Sequence, residues 1–558
     1  MANKKLLAAL FLVFASAFWI ANRGAYKNYF QSDSLDNLSL TRDTAYGQFV
    51  RGLVVPEFYP GHFRPTGHLF YKLAWPMFGL WFPPYVGVLQ AIHLANVCLL
   101  WLVLRRLGLP LAAACAGALF FGFHMAVFAV FWEPMYVFDL LCGTFCLLSL
   151  LAYLYERWIL ALVAFWFAYR AKELAVTLPV MLVAYEFWLR NKRWKRLLPF
   201  FAISVWMGIS ALLHNTDHTS DWALHFEPTS IWRCILFYSS RFFLVPFAGF
   251  VLLALPFLVR DRRVLWGVVC CCLLLSTLLL LPGRLFSPYA YVPLIGAAIA
   301  LAAVFARAPQ VAVAAFFAVW LPWNYVNLRW LRKAELARGD AARMYAGSIV
   351  KAVKPHPEVA AFAYNEAPLE SWGVAGLIRL LHPPVTAIQL VREDDTGSSG
   401  VLHTVPLMLL NWHPIYGLEP LVHASPGPTA SYIKLDWRAP LWHLNEGWYG
   451  NNGAFRWIQP VATASLLRPE DAGRFEVTVN VGSELIEHVK RTRLRVLLDG
   501  VEAGTSEFDH KGLQTVNWSV SPRPAGPTDV RFEVAPSYHA AQGNLLGIAI
   551  AGFGFVTK

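Results

Sequence analysis

Long apolar stretches alternate with short polar segments over the first three fifths of the chain. A membrane-spanning helix needs about 20 apolar residues to cross roughly 30 Å of hydrocarbon. By that measure the pattern predicts eleven spans, near residues 6–21, 86–104, 111–131, 136–155, 158–169, 174–189, 197–213, 231–258, 264–282, 288–306 and 309–327. The shortest of them, 158–169, is the weakest prediction. The first span opens like a signal peptide, but its aromatic residues favour an uncleaved helix.

The pattern changes beyond the last span. Residues 328–356 predict a charged helix that leaves the membrane, and the shorter apolar runs that follow predict a small mixed α/β segment. After about residue 430, apolar and polar residues alternate in runs such as RFEVTVNVG, RLRVLLDG and DVRFEVAPS, separated by Asp-Gly, Gly or Pro. Alternation with a period of two is typical of half-buried strands, so this part predicts a β-sandwich of the jelly-roll kind.

Together these patterns predict a polytopic α-helical membrane protein with a β-rich C-terminal part. We expect a transmembrane domain at 1–330 with a large first outer loop at 22–85, a connecting helix and α/β segment at 331–429, and the sandwich at 430–558. Composition agrees, because 57% of the 558 residues are hydrophobic and only 15% are charged, which excludes a soluble globular protein. All eight cysteines lie in apolar runs, which indicates buried apolar side chains without disulfides or a metal site.

The distribution of charge predicts the orientation. A formal net charge of +12 in a soluble protein would suggest a nucleic-acid partner, but here Lys and Arg concentrate in alternate short loops, among them 105–106, 190–196 and 260–263. The positive-inside rule places such loops in the cytoplasm. We therefore expect an inner (cell) membrane protein with a cytoplasmic N-terminus, an extracytoplasmic (periplasmic) C-terminal part, the lipid bilayer as a partner and no nucleic acid.

The functional polar groups then share the outer face. The loop at 22–85 follows the first span, and its candidates for chemistry are Asp33, Asp36, Arg64, His62 and His68. A carboxylate near the interface can serve as general base toward an acceptor hydroxyl, and the planar fork of an arginine recognises phosphate oxygens. The alternatives are aspartates that only solubilise the loop and an arginine that reaches for lipid headgroups.

Further candidates stand at the ends of later spans. Glu133 occupies an otherwise apolar turn and Asp139 lies inside the next span, where a carboxylate is costly unless it is paired. Arg170, Lys172 and Glu173 open the sixth span; Lys172 and Glu173 are adjacent and should point in different directions, and a plain structural ion pair is the alternative there. Arg284, His214, Asp217, His218 and Asp221 complete this outer set. The spacing of His214 and His218 only weakly suggests a metal, so a divalent ion is possible and no ligand is assigned.

Several of these segments resemble a known family. FRPTGHLFYKL and the helix after it, AKELAVTLPVMLVAYEFWL and GRLFSPYAYVPLIG resemble, in order, motifs of GT-C glycosyltransferases, in particular bacterial relatives of the transmembrane-and-TPR protein O-mannosyltransferases. The resemblance covers about residues 1–330. It implies that the family's acidic pair falls on Asp33 and Ser34, so that only Asp33 matches unless Asp36 substitutes. The TPR repeats are absent, and Glu133-Pro134 stand where relatives have an arginine.

The C-terminal part carries a second resemblance. NEGWYGNNGAFRWIQPVATASL resembles a signature of sandwich modules appended to bacterial membrane glycosyltransferases. Trp448, Arg456 and Trp457 would then form a glycan-binding platform, because aromatic faces and guanidinium donors suit sugar rings. Tryptophans in the core of a sandwich are the alternative.

The sequence therefore predicts a glycosyltransferase that moves a sugar from a polyprenyl-phosphate donor to a glycan, lipid or protein acceptor on the outer face. We expect Asp33, Asp36 and Glu133 as catalytic residues, and Arg64, Lys172 and Arg284 on the donor phosphate. Supporting residues are Glu173, Arg170, His62 and Tyr289. The alternatives are a transporter or flippase of lipid-linked glycans, which should show paired repeats and broken helices at mid-depth, and a non-catalytic scaffold that displays the sandwich.

Overall fold

The structure is a computed structural model that describes residues 2–55, 64–190, 193–214, 221, 223–384, 386–393, 399–540 and 543–557. The chain forms two compact units, Met1–Asp340 and Ala341–Lys558. The first is helical and the second is rich in strands, which confirms the predicted order of a helical membrane part followed by a β-rich part.

Among the described residues, fifteen α-helices begin in the first unit, and the last of them continues into the second unit. They are α1 Ala2–Asn22, α2 Ser32–Asp43, α3 Tyr46–Val54, α4 Pro65–Phe78, α5 Phe82–Arg106, α6 Leu111–Gly122, α7 Val137–Leu154, α8 Trp158–Ala171, α9 Leu178–Leu189, α10 Leu198–His214, α11 Pro228–Ser239, α12 Val251–Leu258, α13 Arg262–Ser276, α14 Tyr291–Phe305 and α15 Gln310–Val353. Short 3-10 helices extend several of them, including Met125–Phe131, Glu173–Thr177 and Ser287–Ala290.

The described residues contain fewer long apolar helices than the eleven predicted spans. Six are long and apolar enough to cross a membrane, or seven if α6 and the 3-10 helix Met125–Phe131, bent by 69°, count as one. The number eleven is therefore not confirmed. One predicted span, 231–258, is two helices, α11 and α12, joined by a bend. At the other extreme, the last predicted span and the charged helix after it are one continuous α15 of 44 residues.

The predicted first outer loop is mostly helical. Between residues 22 and 85 it contains α2, α3 and α4, and residues 56–63, which include His62, lie outside the described part of the chain. Pro65 occupies the first turn of α4, where its missing N–H is not needed, and Gly79 ends the helix at a positive φ of 52°. Asp33, Asp36 and His68 are therefore held on helices, and Arg64 directly precedes α4.

Small residues allow the membrane helices to approach closely. A Cβ on Gly267 of α13 would lie 2.5 Å from the Ala300 backbone N, and one on Gly296 of α14 would lie 2.3 Å from that of Cys271. Some polar groups buried between helices are paired with one another. The Tyr291 hydroxyl accepts a hydrogen bond from Asn96 at 3.0 Å and lies 2.9 Å from His93 Nδ1.

The second unit begins with a mixed sheet of order β2-β1-β3-β4 and the helix α16 Ser371–Leu381. β1 pairs in parallel with β2 and β3, and β3 pairs antiparallel with β4. The strands are β1 Ala361–Tyr364, β2 Gln389–Arg392, β3 Leu407–His413 and β4 Gly417–His423, and a short α17 spans Ser399–Leu402.

Two antiparallel sheets follow, of order β11-β10-β13-β8 and β12-β9-β16-β7-β6, with β5 paired to β16. Alternate residues of β9 and β13 are buried, and both sheets contribute to one core, with Val496 and Phe532 from the first and Phe475 and Phe553 from the second. The elements are β5 Tyr432–Lys434, β6 Trp448–Asn451, β7 Arg456–Ile458, β8 Val461–Arg468, β9 Ala472–Val481, α18 Ser483–Val489, β10 Thr492–Leu498, β11 Val501–Phe508, β12 Gly512–Ser519, β13 Gly526–Ala535, β14 Tyr538–His539, β15 Leu545–Leu546 and β16 Ala549–Thr557.

Candidate functional site

An ion pair between Lys172 and Asp139 lies in the interior of the first unit. Lys172 Nζ is 2.7 Å from Asp139 Oδ1, and the two side chains are only 10% and 2% exposed. The same ammonium lies 3.7 Å from the centroid of the Tyr289 ring, within the range of a cation–π contact. Pairing explains how a carboxylate is tolerated inside α7.

A second ion pair follows directly in the chain. Arg64 Nε donates to both carboxylate oxygens of Glu173, at 2.9 and 3.1 Å, and the guanidinium lies 5.7 Å from the centre of the Phe138 ring. Lys172 has an extended backbone, with φ −161° and ψ 142°, between α8 and the 3-10 helix Glu173–Thr177. Successive side chains of extended backbone point in opposite directions, so Lys172 reaches Asp139 and Glu173 reaches Arg64.

Arg64 is also within electrostatic range of Asp139 and Tyr289. We call these five residues, Arg64, Asp139, Lys172, Glu173 and Tyr289, the polar cluster. Desolvation opposes ionisation of Glu173, although its side chain is 43% exposed, but the charge and hydrogen bond of Arg64, a backbone hydrogen bond and the Lys172 charge together outweigh it and lower the pKa of Glu173.

His68 connects the polar cluster to α2. Its Nδ1 accepts the Arg64 backbone N–H at 2.9 Å, and its Nε2 lies 2.8 Å from Asn37 Oδ1, which is an acceptor, so the ring proton is on Nε2. Burial and the nearby Arg64 charge lower the pKa of His68 to about 3, and the ring is therefore neutral at physiological pH. Asn37, which the sequence analysis did not single out, also donates to the Asp33 backbone carbonyl at 2.7 Å.

The two predicted catalytic aspartates are on α2. Asp33 lies in its first turn and Asp36 follows one turn later, so both lie on one side of the helix. Both side chains are half-buried, and neither belongs to the polar cluster. Asp33 is within electrostatic range of Glu133.

Glu133 forms a carboxyl pair with Glu335 of α15. The two residues are 4% and 2% exposed, and Glu335 also accepts from Asn28 Nδ2 at 3.2 Å and pairs with Arg338. Burial, and then the neighbouring Glu335 carboxylate, raise the pKa of Glu133 well above its ordinary value. Glu133 is therefore harder to ionise than an ordinary carboxyl group, and its catalytic role stays a prediction. Glu335 was missed because it lies in the segment that the sequence presented as a charged helix outside the membrane.

The remaining predicted residues are distributed around these groups. Arg170 Nε donates to the Gly52 carbonyl at 2.7 Å, so it fixes α3 and does not enter the polar cluster. The Arg284 guanidinium lies 5.5 Å from the centre of the Phe286 ring. Asp217 and His218 lie outside the described residues, Asp221 is exposed, and the side chain of His214 is not described.

The residues expected to bind glycan pack within the second unit. Arg456 is 2% exposed and its Nη2 lies 2.9 Å from Glu393. The Trp448 ring stacks on Phe553 at 5.6 Å, its Nε1 donates to the Thr463 carbonyl at 2.7 Å, and Trp457 packs against the sandwich core. Arg456 is thus a buried ion-pair partner, and Trp448 and Trp457 fit the alternative of core tryptophans. The proposed function does not use these three residues as a sugar platform.

Within the described ranges, no group of three or more His, Cys, Asp or Glu side chains is arranged to hold a metal ion. The carboxyl pair of Glu133 and Glu335 has instead an amide and a guanidinium as its further partners.

No family model matches the chain, and no curated protein matches it. Two solved structures of ArnT from Cupriavidus metallidurans are similar to it. The structure bound to undecaprenyl phosphate is 16% identical with a TM-score of 0.46, over 72% of this chain and 92% of that one. The apo structure is 15% identical with a TM-score of 0.45, over 74% and 93%. Similarity of this degree to solved structures assigns no activity and no residue role to this chain.

Proposed function

We propose that this protein is a membrane glycosyltransferase that transfers a sugar from a polyprenyl-phosphate donor to an acceptor hydroxyl. The observation that supports it best is the convergence of residues from three separate segments, whose sequences resemble motifs of GT-C glycosyltransferases. FRPTGHLFYKL contributes Arg64, 171–189 contributes Lys172 and Glu173, and 283–296 contributes Tyr289. These residues meet in the polar cluster, which His68 connects to the helix that carries Asp33.

In the proposed reaction the acceptor oxygen attacks the anomeric carbon, the bond from that carbon to the phosphate oxygen breaks, and polyprenyl phosphate leaves. Asp33 takes the acceptor proton, because its half-buried carboxylate lies in the first turn of α2, whose Asn37 hydrogen-bonds to His68 of α4. Arg64, Lys172 and Arg284 face the donor phosphate, and Glu173 and Asp139 hold the first two in place. Asp36 is the second carboxylate available on α2.

Purified protein in detergent, incubated with radiolabelled polyprenyl-phosphate sugars and membrane extracts as acceptor, tests this proposal. We expect release of polyprenyl phosphate by the wild type and its loss in Asp33→Asn. The exposed Asp43→Asn at the end of the same helix is a matched control and should release as much product as the wild type. Tight donor binding with no turnover for any acceptor would favour a transporter, and full activity of Asp33→Asn would remove this residue from the site.

We further propose an inner-membrane location with the N-terminus in the cytoplasm and the C-terminal unit outside. The support is the concentration of Lys and Arg in alternate loops. An alkaline phosphatase fusion at the C-terminus should be active, and a fusion after Arg106 should be inactive. The reverse result would contradict the orientation.

A further inference from the structure

Two of the three cations expected on the donor phosphate already have carboxylate partners. Arg64 is paired with Glu173 and Lys172 with Asp139, so each is largely neutralised. Arg241 differs from both. Within the described part of the chain it has no carboxylate at ion-pair distance, its buried Nε makes no hydrogen bond, and its guanidinium lies 4.3 Å from the centre of the Phe237 ring. A half-buried guanidinium without an anion is costly unless a ligand supplies one.

Arg241 stands in a bend that interrupts an apolar stretch. Residues 240–247 join α11 to α12 without helical structure, and Leu244 and Phe247 have positive φ of 57° and 61°. Such conformations are costly for residues other than glycine and concentrate at binding sites. Within a membrane, non-helical backbone is tolerated where it is packed in protein or lines a cavity. The conformation of the bend therefore points to a role in binding.

An apolar groove of about 630 Å³ lies beside the bend. The bend contributes Phe243 and Val245, and α15 contributes Val319, Trp320, Trp323 and Val326; all the lining side chains are apolar. The groove falls within the usual range of ligand pockets, about 300–1,000 Å³. Val319 is 73% exposed, so one wall is open toward the bilayer.

The groove is held in shape by hydrogen bonds to the bend. Trp323 Nε1 donates to the Leu244 carbonyl at 3.2 Å, and His124 Nε2 lies 2.8 Å from the Phe242 carbonyl. These hydrogen bonds fix the bend that forms one wall of the groove, which reduces the ordering cost of binding.

The bend beside the groove is connected to the surroundings of the polar cluster. The Arg241 backbone N–H donates to the Tyr238 carbonyl, and Tyr238 is within electrostatic range of Asp139 and Tyr289. On the other wall, Val326 and Glu335 are nine residues apart on α15, or about 14 Å of helix. A molecule with its apolar chain in the groove could place a polar head beside Arg241 and the polar cluster.

We propose that Arg241 binds the phosphate of the polyprenyl chain and that the isoprenoid tail lies in this groove. This assignment rests on the proposed function, because it locates the lipid of the same donor. When the anomeric bond breaks, the phosphate changes from a diester with one negative charge to a monoester with about two. Arg241, which has no carboxylate partner among the described residues, stabilises the charge that develops on the leaving phosphate. A bilayer phospholipid is a diester that keeps its single negative charge, so it gains less from this arginine.

Binding of a radiolabelled polyprenyl monophosphate to the full-length protein in detergent tests the assignment without acceptor or sugar. We expect Arg241→Gln to weaken binding roughly tenfold or more, the loss of a charge-assisted contact. Arg241→Lys should recover part of it, because the charge stays and the fork is lost. The exposed Arg233→Gln in α11 is the matched control and should bind like the wild type. Equal binding by Arg241→Gln would overturn the assignment.

The groove has its own test. Val319→Trp adds volume at an exposed lining position, so we expect it to weaken binding of a long polyprenyl phosphate more than that of farnesyl phosphate. Equal loss for both chains, or none, would place the tail elsewhere. Competition by phosphatidylglycerol as strong as by polyprenyl phosphate would show a general lipid site and refute the assignment. If the wild type binds polyprenyl phosphate through Arg241 but transfers no sugar, only the proposed function fails.

Discussion

Removing one member of the Lys172–Asp139 pair should destabilise the protein strongly. The two side chains are 10% and 2% exposed and their charged atoms are 2.7 Å apart. Lys172→Gln leaves the Asp139 carboxylate buried without a counter-charge, and Asp139→Asn does the same to the ammonium. Breaking a buried pair in this way costs about 3–5 kcal/mol.

The double variant Lys172→Gln/Asp139→Asn separates two roles of the pair. It removes both charges and keeps two amides that can hydrogen-bond, and replacing both partners of a buried pair is often close to neutral. We therefore expect it to recover most of the lost stability. It should not recover transfer, because the proposed function requires the Lys172 ammonium at the donor phosphate.

The assay is unfolding of the full-length protein in one detergent, followed by tryptophan fluorescence, with transfer measured per folded molecule. Glu156→Gln is the matched control in the same unit, because Glu156 and Arg193 form an exposed pair at 3.0 Å. Exposed pairs contribute little, so this variant should unfold like the wild type. Single variants as stable as the wild type would refute the argument from burial. A double variant with normal transfer would show that the pair is only structural, the alternative that the sequence left open.

Three other predictions concern α2, α4 and the carboxyl pair. Asp33→Asn should lower turnover by roughly 10²–10⁴-fold with little change in donor binding, whereas Arg64→Lys should weaken donor binding first; the opposite result in a binding and turnover assay would reverse the roles. The pKa of His68 is lowered from 6.5 to about 3, so the unfolded state binds the proton first as pH falls. The free energy of unfolding should therefore decrease below pH 6.5, by up to about 1.4 kcal/mol per pH unit. His68→Asn should lose that part of the dependence in unfolding measured between about pH 7 and pH 5, and an unchanged profile would contradict the assignment. The pKa of Glu133 is raised from its ordinary value of 4.5, so its contribution to stability is present below 4.5 and is lost progressively as pH rises above it toward the raised value. Glu133→Gln should therefore unfold with less dependence on pH above 4.5 than the wild type, and equal profiles would place the titration elsewhere.

The apolar pattern predicts the helical first unit and the β-rich second unit, but not the number of spans. A hydropathy window sums apolar residues and is insensitive to a change of direction, so 231–258 scored as one span although the chain bends at 240–247. In the sandwich, the alternation of apolar and polar residues predicted the strands better than hydropathy predicted the number of spans. The Asp-Gly break predicted after RLRVLLDG is a two-residue turn with positive φ at Asp499 and Gly500, which joins β10 to β11.

In the site, sequence identifies the residues better than their partners. Adjacency alone indicated that Lys172 and Glu173 point in different directions, and the structure confirms it. Their partners, Asp139 and Arg64, are far away in the chain, and the folding of α4 and α7 against α8 decides the pairing. No spacing rule links Glu133 to Glu335. They are far apart in the sequence and meet only because α15 packs against the earlier helices of the first unit.

The position of Asp33 depends on α15, although the two are separated by almost the entire first unit. Glu335 of α15 accepts from Asn28, and a Cβ on Gly339, one turn further, would lie only 2.0 Å from Asn28 Oδ1. Asn28 directly precedes the extended residues that lead into α2, where Asp33 occupies the first turn. The same helix lines the apolar groove with Trp320 and Trp323. The continuous helix α15 therefore contacts both the segment that leads to the proposed base and the groove proposed for the lipid. A shift of α15 would change acceptor activation and donor binding together.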